Sequence, residues 1–403
     1  LKGIDDVIQG IFASNQGIVG DRVGDFSSVI LRMNPTGTAL MLALSSGMNK
    51  SGASDTVFTW FEDSHQSGRS TATGGGTTTA LTVDEGSFYI PGTVLMCEES
   101  GEHMLVTAVA GNAITVIRGL AGTNVVAISN GNHLQQIGNA HEEASGMPVA
   151  VTQQGAPRMN YVQIFRNGWA ISGTAKAVSY RTGNKLARNK QDCATYHAED
   201  MERAFLWGRK HIGNLNGKQF RMTDGVVAQI ENYGGTVESA ATGGTPGDYS
   251  RLDFEDFIRR LFAIGIKGQP NERIALGGDQ VLQVLNQMTM LDSTYNISAG
   301  ESKVGIAVTK IMTPFGSLSL MTHPLMNENP MWQKELYCMH PGAIRKRVLR
   351  ETFNEGYDSN GNRIQGKDAD EGVMTTEAGM EVGGAKTMGI LRNVRRAVKS
   401  VAE

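Results

Sequence analysis

Residues Met159 to Ser172 read MNYVQIFRNGWAIS, and the pairing of this stretch decides the fold. Tyr161, Gln163, Phe165 and Asn167 alternate with Val162, Ile164 and Arg166, which is the two-residue period of a β-strand. Its expected mate is DTVFTWFEDS, Asp55 to Ser64, where Val57, Thr59 and Phe61 face one way and Phe58, Trp60 and Glu62 the other. Together they make a ribbon with large side chains on both faces. A lone two-stranded ribbon is marginal in water, and aromatics on both faces would leave apolar surface exposed. Other material must cover it, either the same chain folded over it or a neighbouring subunit.

Between the two legs lies a run dense in turns. Gly111-Asn112 separates His103–Ala110 from Ala113–Arg118, a strong hairpin signal, with Leu105, Thr107 and Val109 alternating against Met104, Val106 and Ala108. Asn130-Gly131-Asn132 marks another turn before HLQQI. Five or six short strands are expected here, enough for a small barrel or sandwich. The polar leader TATGGGTTT and the exit GNAHEEASG read as flexible joints.

Beyond the ribbon, Lys185 to Trp207 changes to a helical period. Leu186, Cys193, His197, Met201, Ala204 and Phe205 form a narrow apolar stripe, as suits a long helix lying across a sheet. Ser250 to Ile264 is a second amphipathic helix, with Ser250 as N-cap, Asp253 three residues on, and Phe254, Phe257, Ile258, Leu261 and Phe262 on one face. A buried strand at Arg273–Gly277, a helix from Gly278-Asp279, and strands at Val304–Ile311, Ser317–Thr322 and Glu335–Met339 complete an α/β region. Strands return at Ala343–Phe353, Val373–Glu381 and Thr387–Leu391, with a turn at Asn360-Gly361. The first fifty residues are punctuated by glycine and carry too few apolar contacts to fold alone. They read either as a frayed end or as an arm that orders on a partner.

The 403 residues carry 37 basic and 40 acidic side chains, a balance that argues against a dedicated nucleic-acid binder. Three scattered cysteines suit a reducing compartment and no disulfide framework. Leu1 stands where a methionine would, which fits proteolytic trimming or a sequence that starts late. Catalytic readings fail one after another. Asp358-Ser-Asn360-Gly-Asn362 imitates a calcium loop, but Arg363 and Ala369 occupy positions that need glycine and glutamate. Gly277-Gly278 lacks the rest of a phosphate cradle. Cys338-Met-His340 and His141-Glu142-Glu143 have no second ligand cluster at metal spacing. No cofactor is expected. Two basic groups remain, Arg345-Lys346-Arg347 with Arg350, and Arg392, Arg395, Arg396 and Lys399. The plain reading of both is a solvated surface. The functional reading is weak, sequence-independent contact with nucleic-acid phosphates, or pairing with acids of a neighbour.

The order of these parts resembles the major capsid proteins of tailed bacteriophages, the Hong Kong 97-type fold, in the subfamily with a β-domain inserted in the extension loop. FTWFEDS, NYVQIFRNGWAISGTAKAV, YHAEDMERAFLWG and MTTEAGMEVGGAKTMGILRNV carry the resemblance, with LTVDEGSFYIPGTVLMCEESGEHMLVTAV as the insertion. It implies an α+β fold with an N-terminal arm over 1–50 and an extension loop over 51–70 and 146–179. A β insertion domain would span 71–145. A peripheral domain with a long spine helix would span 180–230 and 339–403, and an axial domain 231–338. It further implies a non-enzymatic virion subunit, without cofactor, assembled in the bacterial cytoplasm as pentamers and hexamers of an icosahedral shell around double-stranded DNA. Its partners would be copies of itself, a portal protein, and in some relatives scaffolding or cement proteins. Phe58, Trp60, Phe61, Phe165 and Trp169 are then expected to dock the extension loop on a neighbour. The insertion would clamp neighbours, carry a cement protein or face the host, and clamping fits the reach of the loop best. Some relatives weld subunits through lysine–asparagine isopeptide bonds; Lys50 and Lys176 flank the loop, but no motif selects a pair. The alternatives are an encapsulin-like compartment of the same fold and an enzyme assembled from distant residues.

Overall fold

A computed structural model describes residues 51–63, 68–152, 154–180, 183–291, 298–299, 309–355 and 368–399. The expected arm over 1–50, with Lys50, and the turn at Asn360-Gly361 lie outside them, as does most of the strand expected at Val304–Ile311. The fold is mixed α+β, with strands dominant. Two compact units emerge: the described residues up to Phe58 together with those from Met159 onward, and Thr59–Arg158.

In the first unit, a four-stranded sheet runs in the order Ser51–Gly52, Ile344–Glu355, Ala369–Val382, Gln163–Ser172. Here the expectation for 159–172 is corrected. The leg Val57–Glu62 pairs with Ala156–Tyr161, a shorter and earlier stretch. After Val162 the chain leaves the ribbon, and Gln163–Ser172 joins Ala369–Val382 antiparallel, with Phe165 opposite Thr376 and Trp169 opposite Gly372. The alternation of side chains runs unbroken through Val162, so the local pattern gives no sign of the change of partner.

The long helix spans Lys185–Trp207 as expected, about 35 Å at 1.5 Å per residue. Asn184 caps it, its side-chain oxygen accepting from the backbone N–H groups of Leu186 and Ala187. Its buried face carries Cys193, His197, Met201, Phe205 and Leu206 against the sheet, with the Phe165 and Phe205 rings edge to face at 5.8 Å. Glu202 is also buried, which the apolar stripe did not suggest. Its Oε1 accepts from His323 Nε2 at 2.8 Å, both side chains being fully enclosed.

A seven-stranded sheet follows, ordered Thr236–Ser239, Gly389–Arg392, Leu336–Met339, Glu272–Gly277, Gly316–Thr322, Thr309–Thr313, Ser298–Ala299. Gly389–Arg392 thus enters the sheet otherwise built from 231–339, crossing the division expected at 338/339. Helix Arg251–Phe262 opens on a complete capping box between Ser250 and Asp253 and packs Phe254, Phe257, Ile258, Leu261 and Phe262 inward. Arg273, at the start of the central strand, is buried with its guanidinium donating to the carbonyls of Thr387, Glu272 and Ile264.

The second unit contains a closed six-stranded barrel: Arg69–Gly74, Ala80–Val83, Ala113–Leu120, His103–Ala110, Thr93–Cys97, His133–Asn139, back to the first. Closure removes every strand edge, which lets so small a β-module stand as a folded unit. Leu81, Leu95, Met104, Val106, Ile114, Val116 and Leu134 fill it.

Candidate assembly surfaces

The five aromatics expected to dock a neighbour separate into two groups. Phe58, Trp60, Phe165 and Trp169 are buried within the chain, whereas Phe61 is 75% exposed. Two glycines of Ala369–Val382 explain part of this. A Cβ on Gly372 would lie 2.6 Å from the Trp169 ring, and one on Gly379 would lie 2.7 Å from Phe58. Each ring occupies the space left by a missing side chain. Trp169 is held further by Nε1 donating to Asn354 at 3.0 Å and by Lys190 Nζ 4.5 Å from its ring. Phe165 lies beneath the long helix. These side chains hold the subunit together, and Phe61 remains as the exposed aromatic of the ribbon.

The return leg is fixed at its root by Asn160, which is fully buried. Its Nδ2 donates to Thr223 Oγ1, Asp224 O and Met380 O at 3.1, 3.0 and 2.7 Å. Its Oδ1 accepts from the Tyr161 and Asp224 N–H groups, both at 2.8 Å. Gln229 closes the same knot, donating to Asp224 O and Met380 O and accepting from Val382 N–H. The ribbon therefore leaves the sheet from a rigid polar junction.

The basic groups are largely neutralised at home. On the antiparallel neighbour of Ile344–Glu355, Glu381 pairs with Arg347 and, at 3.7 Å, with Arg345, while Glu377 meets Arg350 at 2.7 Å. Arg392 is paired with Glu231 and Glu335, and Arg396 with Asp248. Burial pushes the Glu231 carboxyl up, but hydrogen bonds from Arg209 and Arg392 outweigh it and hold the group below its ordinary value. Arg395 and Lys399 stay exposed, Arg395 donating to Asn393. Lys176 forms an ion pair with Asp370 at 2.6 Å.

One exposed element went unread in the sequence. His211–Leu215 and Lys218–Met222 form an antiparallel hairpin about Asn216-Gly217, both with positive φ (52° and 72°). Asn-Gly between two short runs with apolar residues is the signal that would have found it. Ile212, Leu215, Phe220 and Met222 are all exposed on it.

Among the described residues no group of three or more His, Cys, Asp and Glu is placed to hold a metal ion, and no helix is long and apolar enough to cross a membrane. Cys338 and His340, singled out in the sequence, are interior. Burial pushes the Cys338 thiol up to about 12 and pulls the His340 imidazole below its ordinary value. His197 is likewise lowered by burial, with ring nitrogens 2.7 Å from Asn167 Oδ1 and Thr376 Oγ1. A histidine that resists protonation in the fold leaves the unfolded chain binding more protons below its ordinary value of 6.5. Stability is therefore full above about pH 6.5 and falls as pH drops through the lowered folded values. Thermal melting followed from pH 7.5 to 5 should show this decline, and His197→Gln should flatten it in part, His340 keeping the rest; a pH-independent melt would contradict the assignment.

The family model of the SU10 major capsid protein matches residues 10–395. A major capsid protein of Pseudomonas phage PaMx41 is 24% identical over 411 residues, covering 98% of each chain. Among solved structures, the capsid of Myoviridae phage XM1 aligns with 14% identity and a TM-score of 0.47, covering 96% of this chain and 99% of that one. The capsid of a native GTA particle aligns with 8% identity and a TM-score of 0.48, covering 97% and 100%. With the family model spanning nearly the whole sequence, the chain belongs to the SU10 major capsid protein family, and is a virion subunit that assembles with copies of itself into a phage capsid shell.

Proposed function

We propose that the chain builds an icosahedral phage head from pentamers and hexamers, enclosing double-stranded DNA, with the ribbon that carries Phe61 reaching onto an adjacent subunit. The observation that carries this reading is the exposure of Phe61, at 75%, on the ribbon leg Val57–Glu62, whose other aromatics, Phe58 and Trp60, are buried. Burying a phenylalanine contributes about 1.5–3 kcal/mol, and closed symmetry repeats the contact at every subunit. Arg395 and Lys399 supply the non-specific DNA contact; Arg392 and Arg396, paired within the chain, contribute less. A portal protein closes one vertex, assembly takes place in the bacterial cytoplasm, and scaffolding or cement proteins join where the shell needs them. The barrel clamps neighbouring subunits from the distal part of the loop.

Phe61→Asp is the direct test. The subunit should melt within about 0.5 kcal/mol of the parent, since an exposed side chain contributes little to the fold. The yield of closed particles, counted by electron microscopy and sedimentation, should fall about tenfold or more. Normal particle yield would remove Phe61 from the interface. Particles purified with their nucleic acid should contain double-stranded DNA.

A further inference from the structure

Two unfinished β-elements are exposed on this chain, and they are complementary. The first is the exit from the barrel, Gly146-Met-Pro-Val-Ala-Val-Thr152, which belongs to no helix or strand. No backbone hydrogen bond from this segment is made among the described residues. Met147, Val149 and Val151 alternate along it and are 93%, 67% and 48% exposed. Just before it stand Glu142 and Glu143, which have no cationic partner among the described residues. The second element is the hairpin His211–Met222, two strands with no third among the described residues. Its exposed side chains include Ile212, Leu215, Phe220 and Met222. Between Gly208 and Thr223 there are five residues of basic type, Arg209, Lys210, His211, Lys218 and Arg221, and no acid; Arg209, Lys210 and Arg221 are paired with Glu231, Asp224 and Glu377 outside the hairpin. Lys218 has no acidic partner among the described residues.

We infer that Gly146–Thr152 of one subunit adds as a third strand to the free edge of His211–Leu215 in a second copy. This rests on the shell reading above and names a contact within it. A hairpin gains independent stability on acquiring a third strand, and an extended segment with unpaired amides is the natural donor. Pro148 sets the orientation. Backbone N–H groups of a strand alternate in direction, so the position lacking one must face away from the hairpin. Residues 147, 149 and 151 then point their amides at the partner. The same Pro148 keeps the preceding residue extended. Glu142 and Glu143 are brought toward Lys218 of the hairpin, where opposite charges favour this partner over a like-charged one.

Cross-linking between differently tagged chains tests the pairing. One chain carries Val151→Cys and the other Ile212→Cys, co-assembled and treated with a short bismaleimide. Cys97, Cys193 and Cys338 are buried, so the introduced thiols react selectively. A heterodimer band is expected from shells. Val149→Pro, which deletes an inward amide, should reduce that band about tenfold or more; Ala150→Pro, which deletes an outward one, should leave it. Intact shells without the band, a link confined to a single chain, or equal effects of the two prolines would each overturn the pairing. Absence of any particle would instead strike the shell reading, and the pairing with it.

Discussion

Replacing Asn160 by alanine is expected to destabilise the unit that contains it by about 3–5 kcal/mol and to abolish particle formation. The side chain is fully enclosed and makes five hydrogen bonds. Its two acceptor contacts matter most. The Tyr161 and Asp224 amides both donate to its Oδ1, and each buried donor left unsatisfied costs about 1–3 kcal/mol. The carbonyls of Asp224 and Met380 suffer less, because Gln229 Nε2 also donates to them. Denaturant unfolding of the whole chain would measure the loss. Asn160→Asp separates geometry from hydrogen bonding: it keeps both acceptor contacts but sets a carboxylate oxygen against the carbonyls of Asp224 and Met380, while the Thr223 hydroxyl can turn to donate to it. Both variants should therefore fail, for different reasons, while Gln229→Ala should be milder. A loss below about 1 kcal/mol for Asn160→Ala would mean that the junction relaxes and that the ribbon is not held there.

Asn160 also marks where the sequence stopped being legible. The elements that depend on local chemistry were read almost to the residue: the helix Lys185–Trp207, the Ser250–Asp253 capping box, and the hairpin about Gly111-Asn112. Alternating apolar residues and several turns also point to a small barrel or sandwich, without choosing between them. What failed was pairing over long separation. Residues 163–172 have the same two-residue period as the ribbon leg before them, and nothing local says that their partner is Ala369–Val382, about two hundred residues on. That one error placed Phe165 and Trp169 on the wrong surface. The glycines that receive Trp169 and Phe58, Gly372 and Gly379, were visible only as glycines. Glu202 looked like part of a charged helix face because His323, which encloses it, lies 121 positions away. The hairpin at Asn216-Gly217 is a different kind of omission, since its turn signal was entirely local.

Glu102→Ala should open the barrel. Glu102 and Arg118 form a buried ion pair, with side-chain exposures of 0% and 5%, and a two-pronged contact at 2.7 and 2.6 Å. The carboxylate also accepts from the Gly119 and Val126 amides, at 3.2 and 3.1 Å. The guanidinium donates to the carbonyls of Gly76, Thr78 and Val126, at 3.2, 3.1 and 2.6 Å. Burial alone would push the Glu102 carboxyl up, but Arg118 and the two amides prevail and hold it below its ordinary value. This pair ties the loop after Arg69–Gly74 and the loop before His133–Asn139 to the hairpin between them. Removing one partner of such a pair leaves an uncompensated buried charge and costs about 3–5 kcal/mol. Hydrogen exchange within residues 69–139 should accelerate by about two to four orders of magnitude, at about 1.4 kcal/mol per decade. Exchange in Gln163–Ser172 and Ala369–Val382 should stay unchanged. The double variant Glu102→Met with Arg118→Met should recover part of the loss, since a buried pair replaced by apolar groups is often near neutral. It should not recover all of it, because three carbonyls and two amides lose their partners. Full recovery would show that those backbone contacts contribute nothing to closure, and no loss in Glu102→Ala would show that the barrel is held by its apolar core alone.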